Sequence, residues 1–169
     1  MRKTVKVIVS GDGGVGKTSF LNRLVYDDFD ENSELTRGVD FYSKSFSING
    51  TEYNFVLWDF AGQTQFKKIL DDFVNGSIAA FILFDLTRIK TLENVAEWMM
   101  KLKRMGNIPI LLVGTKTDLI SSFEMNSLDN YLSQIRKINE NVIDIVKISS
   151  KTGDNVKKAF EILIEKISN

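Results

Sequence analysis

The spacing of apolar and polar positions cuts the chain into strand-length and helix-length pieces. Residues 4–10, TVKVIVS, are a short β-branched run stopped by turn residues, which predicts a strand. KTSFLNRLVYDD follows, with Phe20, Leu21, Leu24 and Val25 on one helical face. FDENSELTRG is polar and without period, and reads as a loop. VDFYSKSFSING and TEYNFVLWD are aromatic-rich strands flanking Asn49-Gly50, a strong hairpin signal. After FAGQTQ comes a helical stretch, FKKILDDFVN. IAAFILFD and IPILLVGT are unbroken apolar runs suited to strands buried on both faces. TLENVAEWMMKLKRM places Leu92, Val95, Met99 and Leu102 at helical spacing. SLDNYLSQIRKI reads as a helix and VIDIVKIS as a strand. NVKKAFEILIEKI closes the chain as a helix with Val156, Phe160, Leu163 and Ile167 inward.

Strands therefore alternate with helices, with one hairpin near the start. That order predicts an α/β fold: a mostly parallel six-stranded sheet with one antiparallel strand and helices on both faces. No repeat, low-complexity tract or linker interrupts the 169 residues, so a single domain over 1–169 is expected.

At the end of the first strand, GDGGVGKTS spends four glycines within six positions before a lysine and a threonine. Glycine is costly to order, so the loop must gain something from bare backbone. In open α/β sheets ligands bind beyond the carboxyl ends of the strands, where this stretch lies. It fits G-x-x-x-x-G-K-[ST] through Gly11, Gly16, Lys17 and Thr18. Converging backbone N–H groups over Asp12, Gly13, Gly14, Val15, Gly16 and Ser19 would cradle an anion at a helix N-terminus. Lys17 would reach the outer phosphates, and the Thr18 hydroxyl would ligate a Mg²⁺ shared with them. The fold is then that of a P-loop NTPase.

Composition narrows the chemistry. Lys plus Arg and Asp plus Glu number 22 each, so no bulk field favours nucleic acid or an anionic membrane. Cysteine is absent, which removes disulfides, thiolate metal sites and a cysteine nucleophile, and with them prenylation and palmitoylation. Histidine is absent too, so the usual general base near neutral pH is missing. No apolar run nears the roughly 18 residues of a membrane helix, and no signal peptide is visible. A cytoplasmic protein without a direct lipid anchor is expected.

Three further stretches carry a resemblance. WDFAGQ ends the third strand with Asp59, Gly62 and Gln63; TKTD, residues 115–118, ends a buried strand; SSK, residues 149–151, ends the last one. In this order the sequence resembles a Ras-like small GTPase over essentially the whole chain. GVDF after Thr36, WDFAGQ and FVNGS are most similar to the Rab branch, and a prokaryotic relative fits as well.

The resemblance implies a role for each matching residue. Asp59 would hold Mg²⁺ through a water, and Thr36 would join the ion only when a γ-phosphate is present. Asp118 would accept two hydrogen bonds from guanine, Lys116 would lie along the base face, and Ser150 would give its N–H to the guanine carbonyl. Ser149 and Lys151 would brace that loop, and Phe29 would meet the base edge-on. Gln63, Lys17 and Gly62 would be the catalytic residues, with Gly62 donating its N–H to the γ-phosphate. An amide that orients water fits a reaction needing little covalent help, and explains how a chain without histidine could hydrolyse GTP slowly. Loops 30–41 and 60–75 would order with GTP and loosen with GDP, recruiting protein effectors. An exchange factor and a GTPase-activating protein are implied as partners, with the protein itself a monomer.

Departures from the family pattern are few. Thr115 replaces the usual asparagine and has fewer hydrogen bonds to offer. Ser33 stands where many members carry a tyrosine over the phosphates. Arg37 follows Thr36 where Rab proteins have isoleucine. Phe41, Trp58 and Phe73 match three aromatics that effectors read, with Phe in place of Tyr at the last. A variable tail after EKISN is not expected. The rival readings are a module that binds GTP or GDP without turnover and a P-loop kinase or ATPase.

Overall fold

Because side chains alternate across a strand, the apolar runs have to feed two separate layers, one on each face of a sheet. A computed structural model, describing residues 2–34, 38–61 and 74–169, has this arrangement. Its sheet comprises β1 (Arg2–Gly11), β2 (Val39–Ile48), β3 (Thr51–Phe60), β4 (Ala79–Asp85), β5 (Ile110–Thr115) and β6 (Val142–Lys147). Their order is β2-β3-β1-β4-β5-β6. β2 runs antiparallel to β3, with Phe41 opposite Trp58, and every other neighbouring pair is parallel.

The period of two sorts the core. Val7, Val9, Phe81, Leu83, Leu111 and Val113 pack in one layer with α1 (Lys17–Tyr26) and α6 (Val156–Ser168). Ile8, Ile82, Phe84, Ile110 and Leu112 point to the other. There they meet α2 (Ile89–Glu93), α3 (Val95–Leu102) and, through Leu132, α5 (Asp129–Ile138). Every residue of β4 and β5 is buried, which is why both strands read as unbroken apolar runs.

The structure departs from the periodicity in three places. α1 stops at Tyr26 because Asp27 takes a left-handed conformation, φ 54°. The expected helix over TLENVAEWMMKLKRM divides at Asn94 into α2 and α3 and ends in a 3₁₀ turn, Lys103–Met105. The helix expected over SLDNYLSQIRKI begins at Asp129, and Ser127 instead closes a short preceding α4 (Ser122–Ser127). None of the α4 residues is buried, so it carries no hydrophobic period. Its sequence signal was a capping box, in which the Ser121 hydroxyl accepts from Glu124 N–H and the Glu124 carboxylate from Ser121 N–H. Most of the helical stretch FKKILDDFVN lies outside the described residues.

Candidate functional site

Parallel strands place their carboxyl ends on one edge of a sheet, and this edge carries the loops that the sequence singled out. The loop after β1, the start of α1, the end of β5 and the loop after β6 surround a cavity of about 400 Å³. Gly13 to Ser19, Phe29, Thr115, Lys116, Asp118, Ser150 and Lys151 all line it. Asp12 and Ser149 do not; both act on neighbours that do.

At the glycine-loop end, two glycines serve different purposes. A Cβ on Gly11 would lie 2.3 Å from the Leu83 carbonyl oxygen, so Gly11 is demanded by the packing of β1 on β4. Gly16 sits at φ +98° and starts α1 with no side-chain cap, which leaves the positive helix end open to an anion. Lys17, buried beside it, donates to Gly11 O at 2.9 Å and Asp12 O at 2.8 Å. Burial pushes its ammonium down to about 8, against the pull of the Asp59 and Asp12 carboxylates and with a contribution from Arg88. An anion seated beside it would supply the counter-charge that favours the ammonium.

Thr18 Oγ1 donates to Asp59 Oδ2 at 2.6 Å, and Asp59 is wholly buried at the end of β3. A hydroxyl and a carboxylate held together beside a phosphate cradle are hard oxygen donors of the kind a Mg²⁺ takes.

Four consecutive loop residues are tied from behind. The Asp12 carboxylate accepts from Asn94 Nδ2 at 2.6 Å and from Trp98 Nε1 at 2.9 Å. Arg88 Nη2 reaches Gly13 O at 3.0 Å and Lys116 Nζ reaches Gly14 O at 3.1 Å. Thr115 Oγ1 donates to Val15 O at 2.6 Å. The break between α2 and α3 thus falls where Asn94 meets the loop. Thr115, expected only as a weaker asparagine, braces the loop from the end of β5.

At the opposite end, Asp85 is a hub. Its Oδ2 meets Lys116 Nζ at 2.6 Å and Arg88 Nε at 3.0 Å, and its Oδ1 accepts from the Thr87 hydroxyl and N–H. Burial pushes this carboxyl up, but the hydrogen bonds from Lys116, Thr87 and Arg88 outweigh it and hold it below the usual aspartate value. Lys116 adopts φ 67°, in the left-handed region. Asp118 Oδ1 accepts from the Ser149 hydroxyl at 2.7 Å, which in turn accepts from Thr152 N–H. Across the cavity mouth Lys151 pairs with Glu31, which raises the lysine's pKa.

Sequence reasoning missed Asp85, Arg88, Asn94 and Trp98. Asp85 had a signal, a carboxylate ending an apolar run; the others look like ordinary solvated or core residues. Phe41 and Trp58 make an edge-to-face pair, centroids 4.5 Å apart, with Phe41 exposed and Lys6 Nζ 3.7 Å over the Trp58 ring. Thr36, Arg37, Gly62, Gln63 and Phe73 lie outside the described residues. Among the described residues no helix is long and apolar enough to cross a membrane.

Comparison with known proteins adds a family. Residues 6–169 match the Ras family. The chain is 39% identical over 158 residues to mouse Ras-related protein Rab-36, an overlap covering 92% of this chain and 58% of that protein. It is 34% identical over 166 residues to septum-promoting GTP-binding protein 1 of Schizosaccharomyces pombe, covering 97% and 84%. Mouse Ras-related protein Rab-34 is 35% identical over 161 residues, covering 94% and 61%. The chain spans about three fifths of the length of these Rab-36 and Rab-34 relatives.

Proposed function

Because the chain belongs to the Ras family, on its Rab branch, we propose that it is a GTP-binding switch that hydrolyses GTP to GDP and phosphate. The observation that carries the reading is that one cleft joins a P-loop to Lys116, Asp118 and Ser150, which suit phosphates and a guanine base respectively.

In this reading the N–H groups of residues 13–19 and the Lys17 ammonium hold the β- and γ-phosphates. Thr18, Asp59 and, in the GTP state, Thr36 hold Mg²⁺, which when bound neutralises charge on the phosphate oxygens. Gly62 donates to the γ-phosphate and Gln63 orients the attacking water. Phosphoryl transfer rests mainly on positioning and charge stabilisation, so no histidine is required. At the base, Asp118 accepts from the ring N–H and amino group of guanine. Adenine lacks that donor pair, so the carboxylate selects the nucleotide. Phe29 and the Lys116 stem close on the ring.

Thr36 and Gly62 make the γ-phosphate a tether for loops 30–41 and 60–75, whose ordering presents Phe41, Trp58 and Phe73 to a protein effector. An exchange factor resets the switch. A GTPase-activating protein supplies a trans-acting arginine, worth about 10³–10⁵ in rate. The protein acts as a monomer in the cytoplasm.

Single-turnover phosphate release with Mg²⁺·GTP, run beside Mg²⁺·ATP and a Gln63→Leu variant, tests the reading. GTP-specific release that falls sharply in the variant supports it. Tight GTP binding without release leaves a binding module, and release untouched by the variant removes Gln63 from the mechanism.

A further inference from the structure

Arg23 lies on α1, six residues beyond Lys17, or about 9 Å along the helix. Its position on the polar side of α1 and its i,i+4 pairing with Asp27 would suit a surface ion pair of little consequence. The geometry is different. The Arg23 side chain is only 17% exposed, while that of Asp27 is 90% exposed. Nε donates to the Ser150 carbonyl at 2.8 Å and Nη2 to the Lys151 carbonyl at 2.7 Å, while Nη1 reaches Asp27. The planar fork thus grips two consecutive carbonyls from a loop 127 and 128 residues away in sequence. The same loop lies against the Arg23 stem, since a Cβ on Gly153 would sit 3.7 Å from Arg23 Cδ.

What this grip fixes follows from the loop itself. A carbonyl held on one side orients the peptide plane that carries the next N–H. Holding Ser150 O and Lys151 O therefore fixes the planes that carry the Lys151 and Thr152 N–H groups. The first plane meets the Ser150 N–H at the shared Ser150 Cα, and Thr152 N–H donates to the Ser149 hydroxyl. Next to it, the Ser149 hydroxyl donates to Asp118 Oδ1, so the loop also sets the direction of that carboxylate. α1 thus connects the two ends of the cleft, with Lys17 and Thr18 at its start and the base loop held near its end.

We infer that Arg23 is the positioning residue for base recognition, clamping the Ser150–Lys151 segment so that the Ser150 N–H and, through Ser149, the Asp118 carboxylate face guanine. The inference rests on the proposed guanine site. It adds a determinant of nucleotide retention and specificity that contacts no part of the nucleotide.

The test uses the full chain loaded with fluorescent GDP, comparing wild type with Arg23→Met, which keeps the stem, and Arg23→Lys, which keeps the charge. Arg23→Met is expected to release GDP about tenfold faster, since two charge-assisted hydrogen bonds are lost. Arg23→Lys, able to serve one carbonyl well, falls between. A looser loop also aims Asp118 less well, so the preference for GDP over inosine diphosphate, which lacks the amino group, shrinks several-fold in Arg23→Met. Wild-type release from either variant, provided it melts within a few degrees of wild type, overturns the inference. So does equal loss of affinity for both nucleotides, the mark of a merely structural role. Should Arg23→Met fail to fold, Arg23→Lys decides on the same two readouts. A wild-type protein that does not bind GDP removes the guanine site itself, and the inference with it.

Discussion

The two ends of the cleft are built on opposite plans. The phosphate end is one continuous stretch, residues 11–19, whose backbone is the proposed binding surface and whose carbonyls and Asp12 carboxylate are tied back by Arg88, Asn94 and Trp98 and by Thr115 at the end of β5. The base end has no continuous element. It is assembled from α1, the end of β5 and the loop after β6, held by contacts between these separate segments: Arg23 to Ser150 and Lys151, Ser149 to Asp118, and the exposed pair Lys151–Glu31. The difference teaches where each end should fail. The phosphate end fails when a buried charge or its bracket is removed; the base end fails when the direction of a few polar groups changes.

The largest effect should come from the phosphate end. Lys17→Ala removes the buried cation and two charged hydrogen bonds, and GDP affinity should fall by at least about 100-fold in equilibrium titration. Binding within a few-fold of wild type would mean that the backbone alone carries the anion. Asp118→Asn challenges the base end with almost no change of shape. Asparagine offers one acceptor and one donor, which suits the ring N–H and added carbonyl of xanthine better than guanine. GDP affinity should drop by about 100-fold and xanthosine diphosphate should become the better competitor.

A smaller effect tests the bracket. Trp98→Phe removes the N–H that Asp12 Oδ1 accepts, leaving that oxygen of the carboxylate short of a partner, and leaves a small cavity where the second indole ring was buried. The nucleotide-free protein should lose about 1–3 kcal/mol in urea unfolding, and GDP should leave faster. Lower stability with unchanged GDP release would show that the bracket holds the core and not the loop.

The smallest effect is a pH dependence at the joint between the two ends. Asp85 is held below its ordinary value, so its ionised form stabilises the fold fully above about pH 4, and that contribution is lost as pH falls through the lowered value. The stability gap between wild type and Asp85→Asn should narrow as pH is taken from about 6 to about 3. A gap constant over that range would show that the Lys116 and Arg88 contacts do not depend on the charge of Asp85.

Much of this protein is dictated by local sequence. A strand that alternates between two apolar layers, or is apolar throughout, has to be covered on both sides, and the helices between strands supply the cover. The phosphate loop is legible for the same local reason: its chemistry lies in consecutive backbone groups, and only glycine followed by lysine and threonine in that spacing suits them. The base motifs could be noticed one by one, each looking like a solvated loop, and only their order suggested a site. Sequence alone could not reveal that Gly11 answers to Leu83 of β4, that Asn94 interrupts a helix beside Asp12, or that Arg23 grips Ser150 and Lys151. Those contacts join residues far apart along the chain through hydrogen bonds, which leave no period in the pattern of apolar positions. Folding decided them, because only the assembled sheet brings the carboxyl ends of its strands, and the helix that starts there, to one edge.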